Sequence, residues 1–451
     1  MGQNFTYRLH PKDQIGSFFY FPSLGFQKAA GGFGGIRILG RPNIPLPFTP
    51  PCPQDDYTVL IGDWYISNHT DLKNKVENGN ALGTPDVVLI NGLYAGPNDT
   101  HAWNMTVEQG RTYRLRISNV GLQNTVNFRV QNHVMRLVEV EGTHTQQVDL
   151  RSIDVHVGQS YSVLFTADQP AMDYYFVVYT PFTTKKGLVT TAVLHYADQS
   201  ARPVFRDFRR SGHLKWSRDQ ATSIKTNLTA CGARLSEQGS YNYGKKNISR
   251  TITLANSVVP TCGKLRFAVN GVSFVDPETP LLLADHFRIP GVYAPGSMPA
   301  APPKTTAGSG EFRTETAVMG ASFREFVEVV LQNNEKTLQT FHINGHNFFV
   351  VGMGWGGWNC ANRTAYNLKD AVARVTTQVY PKSWTAIYVA LDGVGIWNVR
   401  SEHWERKYLG QQFYLKVASN SSEIYDKIPK NTLLCGKAAA AAGASTPPPS
   451  A

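Results

Sequence analysis

Short apolar runs alternate with polar residues along most of the chain, and helical spacing is scarce. Stretches such as DYTVLIGDWYI (56–66), TYRLRISNV (112–120), YSVLFTA (161–167) and DYYFVVYT (173–180) are rich in β-branched and aromatic residues, and Gly, Pro, Asn and Asp clusters separate them. The pattern predicts an all-β protein of antiparallel Greek-key sandwiches. At 451 residues the chain exceeds one ordinary core, so two or three such units are expected.

The apolar pattern repeats. YRLRISNVGLQNTVNFRVQNHVMRLVEVEGT (113–143) resembles FVEVVLQNNEKTLQTFHINGHNFFVVGMG (326–354). In both, an alternating strand leads through a loop to Phe-x-(Val/Ile)-x-x-His and a further apolar strand. The residue before that His is Asn132 or Gly345, types that tolerate the positive φ of a tight turn. A second element recurs three times, as DQIGSFFYFPS (13–23), DQPAMDYYFVVYT (168–180) and LDGVGIWNVRS (391–401), each an acidic residue and a loop before an aromatic-rich strand. Three related units follow from this. Residues 1–45 form the C-terminal part of the first, 46–56 a Pro-rich linker, 57–198 the second, 199–246 a connector, 247–434 the third, and 435–451 a low-complexity tail expected to be disordered.

Charge narrows the partners. The net charge of +11 is spread along the chain with no block of five like charges and no aromatic-interleaved basic helix, which argues against nucleic acid. A diffuse positive field suits an anionic polymer such as acidic polysaccharide. The connector RPVFRDFRRSGHLKWSR (202–218), with Arg202, Arg206, Arg209, Arg210, Lys215 and Arg218, is the candidate contact surface, since Arg forks match carboxylates; otherwise it is a solvated linker.

Eight Asn-x-Ser/Thr sequons, at Asn4, Asn68, Asn98, Asn104, Asn227, Asn247, Asn362 and Asn420, point to a secreted glycoprotein. The N-terminus MGQNFTYRLHPKDQ carries no apolar leader core, and no run of 18 apolar residues occurs. The five cysteines show no zinc spacing, and their odd number leaves one without an internal partner.

One stretch carries the clearest chemical question. GIWNVRSEHWERKYLGQQFYL (395–415) ends an apolar strand in a polar corner of Asn398, Arg400, Glu402 and His403. Together with GQNFTYRLHPKDQIGSFFYFPS, AAGGFG, GDWY and FHINGHNFFVVGMG, it resembles the plant multicopper oxidases of the ascorbate-oxidase and laccase kind over residues 1 to about 437. Within them it is similar to the monocopper-oxidase-like subgroup associated with directional root growth and pollen. The resemblance implies tandem cupredoxin-like domains, a secreted cell-wall or cell-surface location and a family-level copper chemistry. One copper takes two His, a Cys thiolate and a weak axial Met or Leu, and a copper cluster takes further imidazoles.

Carried onto this chain, the family's His-x-x-His-x-His falls on Gln339, His342 and Asn344, and its His-Cys-His on Asn398, Val399 and Arg400. The downstream His falls on Trp404 and the axial position on Leu409, while the His-x-His of the first domain falls on Phe21, Pro22 and Ser23. Only His342 keeps a ligand type. An amide, a guanidinium or an alkyl group does not replace imidazole or thiolate, so no copper is expected and no catalytic residue is assigned. The alternative that family resemblance alone supports is a copper-dependent oxidase of phenols or ascorbate.

Other constellations are weaker. His342, Asn344 and His346 share a strand face and could form a mononuclear site, or serve as hydrogen-bonded interior groups. Glu402 and His403 are neighbours whose side chains point apart, and GGFGG (31–35) reads as a close-packing bend. Cys435 resembles a family cysteine that bridges to the first domain just upstream of GQNFTY, so the natural product is expected to extend further upstream, with a signal peptide. Spacing then suggests Cys231 with Cys262 as the internal pair.

Overall fold

The computed structural model describes residues 6–7, 9–11, 14–96, 102–183, 187–197, 213–229, 242–261, 263–303, 312–419, 428, 432–434 and 436–444. Cys231, Cys262, Cys435, Asn4, Asn98, Asn420, Arg202, Arg206, Arg209 and Arg210 lie outside these residues, and so does the proposed disulfide. Cys52 and Cys360 are exposed and, among the described residues, form no disulfide.

Strands dominate, as the alternating pattern predicts. An antiparallel hairpin of Gly16–Tyr20 and Gly34–Ile38 comes first. A five-stranded and a six-stranded sheet then share the core of residues 56–196, and an eight-stranded and a six-stranded sheet share that of residues 250–418. In the central sandwich Leu115, Ile117, Val163 and Phe165 face Val126, Phe128, Phe176 and Leu194. In the C-terminal sandwich Val327, Val329 and Val389 face Phe341, Ile343, Val399 and Phe413. Each aliphatic or aromatic side chain buried this way contributes about 1.5–3 kcal/mol before chain entropy is charged against it.

The repeat is topological. Thr112–Asn119 and Met135–Val140 flank Ser160–Thr166, just as Phe326–Asn333 and Phe348–Trp355 flank Ser383–Ala390. In the opposite sheets Val126–Val130 lies beside Tyr174–Tyr179, and Gln339–Ile343 beside Gly395–Ser401. The turns before the paired histidines have the backbone their residue types suggest, with φ of 61° at Asn132 and 71° at Gly345. A Cβ at Gly345 would overlap the Trp397 ring as well as strain the backbone. Gly345→Ala is therefore expected to lose about 1–3 kcal/mol in chemical denaturation, while Asn132→Gly changes little. Equal stability of Gly345→Ala and the parent chain would contradict this account of the turn.

Strand alternation also explains buried arginines. Leu115 and Ile117 point into the central core, so Arg114 and Arg116 point to the opposite face, which the N-terminal hairpin and the Pro-rich segment cover. Arg116 grips Asp56 with two bonds of 2.7 and 2.8 Å and donates to Ser17 Oγ at 2.9 Å. Arg114 binds Glu139 at 2.8 Å and lies over the Phe48 ring. The hairpin is thus anchored to the central sandwich by charged and hydroxyl groups. The GGFGG bend packs closely as expected: Cβ atoms at Gly34 and Gly35 would run into Tyr20 and Thr58.

The tail corrects one expectation. Gly436–Ala444 is a helix rather than disordered chain, because its run of alanines has the highest intrinsic helix propensity. No helix among the described residues is long and apolar enough to cross a membrane.

Candidate functional site

The polar corner is built by the strand Gly395–Ser401, which pairs antiparallel with both Gln339–Ile343 and Gln412–Ala418 and places His342 opposite Arg400. Period-two alternation sends Val399 into the C-terminal core and turns Asn398, Arg400 and Glu402 to the other side. There they meet a cavity of about 800 Å³ between the hairpin, the central sandwich and the C-terminal sandwich. Phe21, Ser23, His342, Asn344, Asn398, Arg400 and Trp404 all line it, so seven of the positions that the resemblance would match to family ligands converge on one space. His342 is its only histidine among the described residues.

Charged groups fill the end of that space. Glu402 is 1% exposed and accepts from Arg400 Nη2 at 2.7 Å, while Lys28 Nζ stands 3.5 Å from its other oxygen. Arg400 also donates to Asn344 Oδ1 at 2.7 Å. His342 Nδ1 lies 4.0 Å from Glu402 and 2.7 Å from Thr376 Oγ1. Burial alone pushes the Glu402 carboxyl up, but Arg400 and then Lys28 outweigh it and hold the pKa at about 2. Burial, reinforced by Arg400, lowers His342 to about 3, so its imidazole is neutral at physiological pH. Burial likewise lowers Lys28, against the pull of Glu402.

Lys28 was not legible in the sequence. It sits in the short 3₁₀ segment Gln27–Ala30, is fully buried, and points its ammonium at the rings of Phe21 (4.7 Å) and Trp404 (5.1 Å). Those two rings meet edge to face at 5.4 Å, and Trp404 Nε1 donates to the Gly25 carbonyl at 2.8 Å. Behind Lys28, buried Asp63 accepts three backbone N–H bonds at Oδ1, from Leu122, Gln123 and Asn124. A glutamate two residues after Arg400 on one strand face was the readable half of this cluster; its lysine partner comes from the other end of the chain.

The remaining expected positions lie elsewhere. Gln339 is fully buried and hydrogen-bonds Thr337 and Gln411, and Gln411 in turn meets Arg406, which pairs with Glu335 at 2.6 Å. Leu409 packs with Phe26 and Trp404. His346 is buried against Trp397, 3.6 Å from Asp392, and does not line the cavity with His342 and Asn344. Its counterpart His133 is held by the Gln131 carbonyl and the Tyr196 hydroxyl. Glu402 faces Lys28 while His403 precedes the helix Trp404–Tyr408, and burial lowers the His403 pKa to about 3. Among the described residues no group of three His, Cys, Asp or Glu is placed to hold a metal ion.

Elsewhere on the surface, Lys215 and Arg218 both pair with Asp219, and Arg218 stacks over exposed Trp355 at 4.8 Å. Asn104 and Asn247 are exposed. Asn68 caps a helix start through Thr70, Asn227 bonds Thr229, and half-buried Asn362 accepts from the Asn359 N–H.

Residues 1–43, 55–199 and 280–423 each match multicopper oxidase domains. An L-ascorbate oxidase homolog of Brassica napus is 46% identical over 438 residues, covering 96% of this chain and 78% of its own length. The monocopper oxidase-like protein SKU5 of Arabidopsis thaliana is 42% identical and covers 96% of this chain and 75% of its own. Among solved structures, Fet3p, a multicopper oxidase that functions in iron import, superposes with a TM-score of 0.70 at 18% identity over 90% of this chain and 72% of its own. Sheet order, paired corners and sequence agree: the chain belongs to the multicopper oxidase family, beside the plant ascorbate-oxidase homologs and monocopper-oxidase-like proteins.

Proposed function

We propose that this protein is a non-catalytic member of its family, a secreted glycoprotein of the cell wall or cell surface that keeps the oxidase scaffold without its copper. The single observation that carries the reading is the Arg400–Glu402–Lys28 cluster at the family's ligand corner. Copper needs neutral imidazole or thiolate donors, and here Arg400, Asn398 and Asn344 offer a fixed cation and two amides beside one imidazole. The buried ammonium of Lys28 and guanidinium of Arg400 repel a cation at that place. The donor set therefore does not fit the metal. Retained fold is no argument for retained chemistry.

The exposed sequon residues Asn68, Asn104 and Asn247 support glycosylation, and the resemblance to the monocopper-oxidase-like subgroup supports a part in cell expansion or in pollen or root growth. The net charge of +11 supports acidic wall polysaccharide as the partner class. Element analysis of the purified, glycosylated protein after mild chelation is expected to give less than about a tenth of a copper per chain, with no intense visible thiolate band. A stoichiometric blue or electron-spin copper signal overturns the proposal in favour of a working oxidase.

A further inference from the structure

Three buried cations surround the Phe21–Trp404 ring pair. Lys28 Nζ is 4.7 Å and Arg400 Cζ 5.6 Å from the Phe21 ring, and Lys407 Nζ is 5.0 Å from that of Trp404. Their exposures are 0%, 7% and 8%. Glu402 lies between Lys28 and Arg400, and Asp63 stands behind Lys28 on the side away from the cavity. Among the described residues Lys407 donates to the Ser23 carbonyl alone, at 3.2 Å. Of the other acidic residues on the cavity wall, Asp276 pulls most strongly on Lys407, but it is exposed, where water and salt screen its charge. Glu141 bonds the Val375 N–H and lies 3.9 Å from Arg374, while Asp276 and Glu278 are exposed at the mouth.

Among the described residues two buried anions thus face three buried cations, and buried charge is stable only when paired. Arg400 adds a second sign of incompleteness: among the described residues its buried Nε has no hydrogen-bond partner. The cavity beside it is within the size range of small-molecule sites, and its wall carries Tyr20, Phe21, Trp404 and Tyr414 together with Arg400 and Lys407. Rings of this kind take the flat face of an aromatic body, and a guanidinium with a free N–H takes a carboxylate.

We propose that the cavity between the three units is a binding site for a small aromatic monocarboxylate, whose carboxylate lies between Arg400 and Lys407 and whose ring lies on the aromatic wall. One negative charge completes the balance of the cluster. Arg400 and Lys407 supply the charge recognition, and the Tyr20, Phe21 and Tyr414 rings fix the orientation. The site is independent of the polysaccharide surface proposed above, since its lining faces inward.

Benzoate is the probe, titrated into the full chain by calorimetry and by ligand-observed saturation transfer at fixed ionic strength. Saturable binding is expected, weakened at least tenfold by Lys407→Met, which keeps the side-chain volume while removing the charge. Glu402→Gln removes a competing anion and is expected to keep or strengthen binding, a result that simple loss of folding would not produce. A folded Lys407→Met chain with unchanged affinity overturns the proposal. So does saturable chloride or galacturonate binding with no preference for benzoate, which would make the site a counter-ion pocket or a sugar-acid site, and so does the absence of saturable benzoate binding.

Discussion

Glu402→Ala is expected to destabilise the protein by about 3–5 kcal/mol, because it leaves Lys28 and Arg400 buried without their shared anion. For a unit of this size that corresponds to a fall in the unfolding midpoint of the order of 10 °C. The loss belongs to the abandoned cations more than to the ion pairs themselves, since desolvation cancels much of a buried pair's Coulomb gain. A triple variant, Lys28→Met with Arg400→Met and Glu402→Gln, tests that distinction. It removes the three charges of the Lys28–Glu402–Arg400 network while keeping the volume, and should recover most of the lost stability. If Glu402→Ala unfolds at the parent temperature, the cluster is not a buried ion-pair network. If the triple variant is as unstable as the single one, the cost comes from lost packing.

A second large effect is expected with acid. Three imidazoles, buried His156 and the part-buried His342 and His403, are largely removed from water, and desolvation lowers each pKa to about 3 from an ordinary value near 6.5. Between those values the unfolded chain binds protons that the folded chain refuses, so stability rises with pH across the window and is lost on acidification. Three such groups set an upper limit of about 4 kcal/mol per pH unit. Glu402 acts in the same direction at lower pH: its carboxyl is held at about 2, so the stability it lends is lost as pH falls below the ordinary carboxylate range. Denaturation midpoints should therefore fall steeply from pH 6.5 towards pH 4, and His342→Gln should flatten the slope by about one proton. A flat profile across that range would refute the buried neutral state of these histidines.

Much of the architecture was legible because sheets write their burial at period two. Leu115 and Ile117 against Arg114 and Arg116 is such a record, and so is Val399 between Asn398 and Arg400. The duplicated corner was legible because positive φ needs particular residues, and Asn132 and Gly345 supply them. Resemblance brought Phe21, Ser23, His342, Asn344, Asn398 and Arg400 to one site, and the structure gathers them around one cavity. Lys28 escaped notice because a lone lysine in QKAA has no periodicity that separates a buried ammonium from a solvated one. Asp63 was hidden in the same way: its role rests on backbone N–H groups of residues 122–124, which no side-chain pattern announces. The alanine-rich tail misled because low complexity suggests disorder, while alanine itself favours helix.

The bond from Trp404 to Gly25 joins residues 379 apart, and that from Lys407 to Ser23 joins residues 384 apart. Contacts of such separation close the longest loops available to the chain, and they cannot form on the ribosome until the last sandwich has been made. The hairpin can dock early on the central sandwich through Arg116 and Ser17, but its second face must wait. Until then the Lys28 ammonium and the Phe21 ring stay in water, and the lysine loses its hydration only when the Glu402 strand arrives to meet it. The corner that the family resemblance would match to metal ligands thus acts here as a clasp that shuts at the end of folding, joining the first described strands to the last.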